Sequence, residues 1–87
     1  MNIANRATKI MLKNMPAYMV EELIALYKIP SPYKEILIMT CAKEYSQFRA
    51  MKELGKIGIN LSFRSFTRKH ATALEKFRVA HIFYKDN

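Results

Sequence analysis

Apolar positions recur every three or four residues along most of this chain, and the recurrence is interrupted only around its three prolines and two glycines. That period puts side chains on one face of a helix, so the pattern predicts an all-α fold. In residues 3–14 the stripe is Ile3, Ala7, Ile10, Met11 and Asn14, with Arg6, Lys9 and Lys13 on another side. This helix should stop before Pro16, because proline disfavours helical geometry in the residue ahead of it. Pro16 then opens a second helix whose stripe of Met19, Val20, Leu23, Ile24 and Tyr27 leaves Glu21 and Glu22 facing water.

The elbow Ile29-Pro30-Ser31-Pro32 ends that helix, and Ser31 followed by Pro32 reads as the cap and first residue of a third, over residues 32–44. From Ile36 to Ala42 the third helix is apolar nearly all round, which marks it as the central, buried element. Ser46 caps a fourth helix with Phe48, Ala50, Met51 and Leu54 inward and Arg49, Lys52 and Glu53 outward, and Gly55 stands where a helix end takes a left-handed residue. The linker from Lys56 to Leu61 alternates in polarity, which allows a brief extended segment. Ser62 then caps the longest helix, over residues 63–84. The expectation is a single compact bundle of about five helices, one domain spanning residues 1–87, with an N-terminal helical pair in 1–30 and a helix-turn-helix core with a long C-terminal helix in 31–87.

At 87 residues the chain exceeds the size at which disulfides or metal are usually needed. Its one cysteine, Cys41, falls inside the apolar run, which excludes an internal disulfide framework, fits a reducing, cytoplasmic setting and reads as a small core residue. No apolar run approaches the ~18 residues of a spanning helix, and no secretion signal is evident, so no membrane partner is expected.

Charge changes the picture most. The formal net charge is +8, and between Ser46 and His70 lie six Lys or Arg (Arg49, Lys52, Lys56, Arg64, Arg68, Lys69) against the single acid Glu53. A stripe of that density suits a phosphate backbone. On the fifth helix Phe63, Phe66, His70, Ala73, Leu74, Phe77, His81 and Tyr84 share one side, and Arg64, Ser65, Arg68, Lys69, Thr72, Glu75 and Lys76 the other. Arginine can donate a bidentate pair to guanine, hydroxyls can bond bases or phosphates, and lysine neutralises phosphate. Residues 63–76 therefore read as a recognition helix for the major groove of double-stranded DNA. Arg64, Ser65, Arg68, Lys69 and Thr72 are the expected groove contacts, and Arg49, Lys52, Lys56 and Lys76 the expected phosphate contacts.

The segments Glu35-Ile36-Leu37-Ile38-Met39, Ser46 to Gly55, and Phe63 to Arg78 ending in Ala73-Leu74-Glu75-Lys76-Phe77-Arg78 together resemble region 4 of the sigma-70 family and the small phage or mobile-element regulators that share its helix-turn-helix. The resemblance covers the C-terminal half. It implies that the fourth helix supports and the fifth reads promoter DNA, and hence a transcription regulator. Met51 stands where the family has a small residue, and the turn from Lys56 to Leu61 is longer than the family's, which implies a different angle between the two helices.

Enzymatic chemistry finds little support. Glu21 and Glu22 diverge on a helix, Glu35, Glu44, Glu53 and Glu75 are scattered, and His70 and His81 are about three turns apart, too far to ligate one metal, so each is expected to have a polar partner. No phosphate-binding glycine loop or Cys/His metal spacing appears, and no cofactor is expected. A single recognition helix gives a modest footprint, which points to a homodimer, with Met11, Met15, Tyr18, Met19 and Leu26 either supplying its surface or simply closing the bundle. The competing reading is a protein-interaction module whose basic face meets an acidic surface of RNA polymerase or another host protein such as a nuclease. RNA binding ranks lower, because Phe48, Phe63, Phe66 and Phe77 are expected to face inward and leave no rings for unpaired bases.

Overall fold

The computed structural model describes residues 2–85 and contains five α-helices: α1 (Ile3–Lys13), α2 (Ala17–Leu26), α3 (Tyr33–Leu37, continuing as a π-helical segment Ile38–Ala42), α4 (Gln47–Lys56) and α5 (Phe63–Lys85). The bundle is all-α, with no strand among the described residues, and the linker before α5 runs as turn and irregular chain.

Local chemistry accounts for most of the helix ends. Asn2 caps α1 by accepting from the Asn5 N–H at 2.7 Å, Ser46 caps α4 by accepting from Arg49 N–H at 3.2 Å, and Ser62 accepts from Ser65 N–H at 3.1 Å. Each hydroxyl or amide oxygen takes a donor that the first helical turn cannot satisfy. Two expectations are corrected here. Ser31 does not cap α3, since its hydroxyl donates to Glu35 Oε2 at 2.6 Å and Pro32 occupies the cap position. Gly55 lies inside α4, and the left-handed residue is Gly58, at φ +87°. The end of α4 is a Schellman arrangement: Ile59 N–H reaches Leu54 C=O at 2.9 Å and Gly58 N–H reaches Gly55 C=O at 3.1 Å. Ile59 packs on the same cluster as Leu54, completing the apolar contact typical of that cap.

The third helix departs from expectation by widening after Leu37. Lys43 N–H bonds Ile38 C=O at 2.8 Å and Tyr45 N–H bonds Met39 C=O at 2.8 Å, and Glu44 turns out of the helix at φ +55°. The slack in a π-turn rotates the following residues, so Thr40 and Cys41 are both buried while the Thr40 hydroxyl donates back to Ile36 C=O at 2.7 Å. Burial also pushes the Cys41 thiol pKa up.

Two buried clusters result. The larger joins Leu12, Val20, Ile24, Ile29, Leu37, Cys41, Ala73, Leu74 and Phe77, and the smaller joins Ile36, Ala50, Leu54 and Phe66. Only α3 and α5 contribute to both, as befits the central segment and the longest stripe. On α2 Val20 and Ile24 are buried and Leu23 and Tyr27 half-buried, as expected, with Glu21 and Glu22 exposed, but Met19, the first residue of the expected stripe, is exposed.

On α1 the expected face is outward except for Met11, which packs against the larger cluster. Ile3 is 87% and Ile10 55% exposed, Ala7 and Asn14 are exposed too, and the inner face is Asn5, Thr8 and Leu12. The two polar side chains each make one bond to backbone, Asn5 Nδ2 donating to Ala71 C=O at 3.3 Å and Thr8 Oγ1 to Ala4 C=O at 2.9 Å, while Asn5 Oδ1 is buried with no hydrogen-bond partner among the described residues. Phe48, expected inward on α4, is 71% exposed, and Phe63, expected on the inner side of α5, is 52% exposed.

Candidate nucleic-acid interface

The bond from Asn5 to Ala71 seats α1 against the first half of α5, and the residues one and two turns further along that side of α1 are Lys9 and Lys13. They face Arg64 and Arg68 across a groove of about 890 Å³, whose floor includes Thr40, Phe66 and His70 and whose far wall is the Glu44–Gln47 link into α4. Gln47 Nε2 donates to Thr67 Oγ1 at 2.9 Å and ties the start of α4 to α5 across that wall. Four cations thus line one concavity with Glu44 as its acid.

None of the four has a carboxylate within ion-pair reach among the described residues, where the single ion pair is Lys56 to Glu53 at 3.1 Å. Unpaired cations that converge on a groove raise the local potential and concentrate anions there. The field is registered inside the protein. His70 is buried, and its pKa is lowered to about 4 first by burial and then by Lys9 and Lys13, so the ring is neutral at physiological pH. Its Nε2 lies 3.4 Å from Thr40 Oγ1, whose own hydrogen goes to Ile36, so Nε2 carries the proton and donates. His81 also has a polar partner, with Nδ1 2.6 Å from the Tyr27 hydroxyl.

The structure divides the expected contact residues. Arg64 and Arg68 are exposed and open onto the groove. Ser65 and Lys69 are half-buried, and Lys69 extends over the Tyr33 ring at 5.6 Å, with Lys76 over the same ring at 5.3 Å. Thr72 lies in a second hollow formed with residues 27–30, and its hydroxyl donates to Arg68 C=O at 3.1 Å. The cause is the packing of α3 on α5, which sets Tyr33 against the side of α5 that carries Lys69 and Lys76. On α4, Lys52 is exposed, Arg49 stacks over Tyr45 at 3.9 Å, and Lys56 is held by Glu53. Cations over rings are held in place yet keep their charge, so these side chains remain able to meet phosphate while reaching less far.

Lys9 and Lys13 were missed by sequence reasoning as site residues. Their spacing of four was visible, but nothing in the pattern said that α1 would turn that side to α5. At the rim of the groove Phe63 meets Phe48, with ring centroids 5.6 Å apart.

Among the described residues no three His, Cys, Asp or Glu side chains group as metal ligands, and no helix is long and apolar enough to cross a membrane. Of the residues considered for a dimer surface, Tyr18, Met19 and Leu26 are exposed, whereas Met11 and Met15 pack against the larger cluster. No family model, no curated protein and no solved structure matches the chain.

Proposed function

We propose that this chain is a double-stranded DNA-binding regulator of the helix-turn-helix kind, with the first turns of α5 at the major groove. The observation that carries the reading is the convergence of Arg64, Arg68, Lys9 and Lys13, unpaired, on one concave surface at the exposed start of a long helix. Arg64 and Arg68, one turn apart, supply the groove contacts, and Lys9, Lys13, Lys52 and Arg49 take flanking phosphates.

The test is fluorescence anisotropy on a random-sequence duplex over a series of salt concentrations, with Arg64→Glu/Arg68→Glu alongside. Four phosphate contacts give a log–log salt slope of about −4, and the double variant should lose binding at every salt concentration. No binding at low salt refutes the reading.

A second reading is favoured by the exposed apolar side of α1, where Ile3, Ala7 and Ile10 lie in line. A face of that kind suits a protein partner, such as RNA polymerase or another host protein, with the cations meeting an acidic surface. In that case duplex binding is absent from the start.

A further inference from the structure

The groove ends on two aromatic rings that the fold does not use. Phe48, on the first turn of α4, and Phe63, the first residue of α5, are the 71% and 52% exposed members of a pair with centroids 5.6 Å apart and planes 34° apart. Each would remove a large apolar area from water if covered, and the two cover each other only in part. They belong to neither buried cluster. Phe63 also lines the groove that Arg64, Arg68, Lys9 and Lys13 surround, so a strand whose phosphates followed those cations would bring its bases to the ring pair.

From this juxtaposition we propose that Phe48 and Phe63 form a stacking platform for unpaired bases, and that the groove holds a single-stranded polynucleotide. The inference goes beyond the duplex reading: it shares with it only the premise that these cations meet a nucleic-acid backbone, and it assigns the groove a single-stranded ligand in addition. Base-on-ring stacking is indifferent to base identity, because every base has a π-face, while the cations supply backbone affinity that falls with salt. A duplex hides its base faces and can use only the cationic part of the surface. Single strands should therefore bind more tightly than a duplex of equal length at moderate salt, where the electrostatic contribution is weakened and stacking is not. DNA and RNA share the chemistry, so the experiment separates them.

The test measures binding of oligothymidylate, oligouridylate and a duplex, each of about a dozen nucleotides, by the wild-type chain, Phe48→Ala/Phe63→Ala and Arg64→Glu/Arg68→Glu. Both rings are exposed and outside the core, so the alanine variant should keep its fold, checked by circular dichroism. The expected result is a loss of about ten-fold or more for single strands with the duplex affinity unchanged. Since the chain has no tryptophan, Phe63→Trp adds one reporter, whose emission should be quenched by a bound single strand and not by a duplex. Equal loss for duplex and single strand, unaltered single-strand binding by the alanine variant, or an unquenched Trp variant that still binds overturns the platform and leaves the duplex reading standing. Absence of binding to all three oligonucleotides at low salt overturns both. Oligodeoxyuridylate, which differs from oligouridylate only in lacking the 2′-hydroxyl, then assigns the strand as DNA or RNA by which of the two binds more tightly.

Discussion

Acidification should weaken this fold through one side chain. His70 sits between the two clusters, 8% exposed, with Thr40 as its polar contact among the described residues and with Lys9 and Lys13 opposing any further positive charge. Its pKa is about 4 in the fold against 6.5 for an unperturbed histidine. The unfolded chain takes up this proton first, so the stabilising effect of a neutral ring is complete above about pH 6.5 and is lost as the pH falls toward 4. Applying linkage to those two values, the native state loses about 2 kcal/mol between pH 7 and pH 5. Against a total of about 5–15 kcal/mol for a domain, that is a measurable fraction. Urea unfolding at both pH values should show it in the wild type. In His70→Gln, whose amide can still donate to Thr40, the loss should be about 2 kcal/mol smaller, because every other contribution is common to both proteins. Equal losses in the two proteins, or an NMR titration placing the His70 ring near 6.5, would refute the reasoning.

The two glycines of α4 and its connection should respond in opposite directions. Gly58→Ala, at φ +87°, should cost about 1 kcal/mol even though nothing crowds the new methyl, whereas Gly55→Ala, inside the helix and 3.4 Å from the Asn60 side chain, should stabilise by up to about 1 kcal/mol, both read from urea midpoints. Ser46→Ala should lower stability by about 1 kcal/mol through loss of the acceptor for Arg49 N–H, and a midpoint unchanged from wild type would show that the cap contributes nothing. Charge reversal at Arg64 and Arg68 should abolish duplex binding, and removal of the Phe48 and Phe63 rings should weaken single-strand binding alone.

Much of the architecture was legible because α5 carries an unbroken inward stripe, Phe66, His70, Ala73, Leu74 and Phe77, and because prolines and capping serines punctuate the rest. The face of α1 was not, since a periodicity count treats Asn5 and Thr8 as outward residues and cannot see the Ala71 and Ala4 carbonyls that accept their hydrogens. Phe48 and Phe63 were misassigned for the converse reason: each lies beside an inner stripe, and only the three-dimensional path of residues 57–62 brings the two rings together outside. The candidate site was half legible. Arg64 and Arg68 project from α5 as their spacing suggests, but the positions of Lys69 and Lys76 depend on where Tyr33 lands, and Lys9 and Lys13 enter through a contact between the two ends of the chain.

The unequal size of the two clusters bears on cooperativity. Helix α4 is attached through Ala50 and Leu54 to a cluster of four buried residues, whereas α1 and α2 share the nine-residue cluster with the middle of α5. Releasing α4 and its connection exposes far less apolar surface than releasing α5, so a swing of α4 away from an otherwise intact body costs less than any opening that frees α5. Because Phe48 rides on α4 and Phe63 on α5, that same excursion would part the two rings, making their pairing a reporter of whether the subglobal unit is docked.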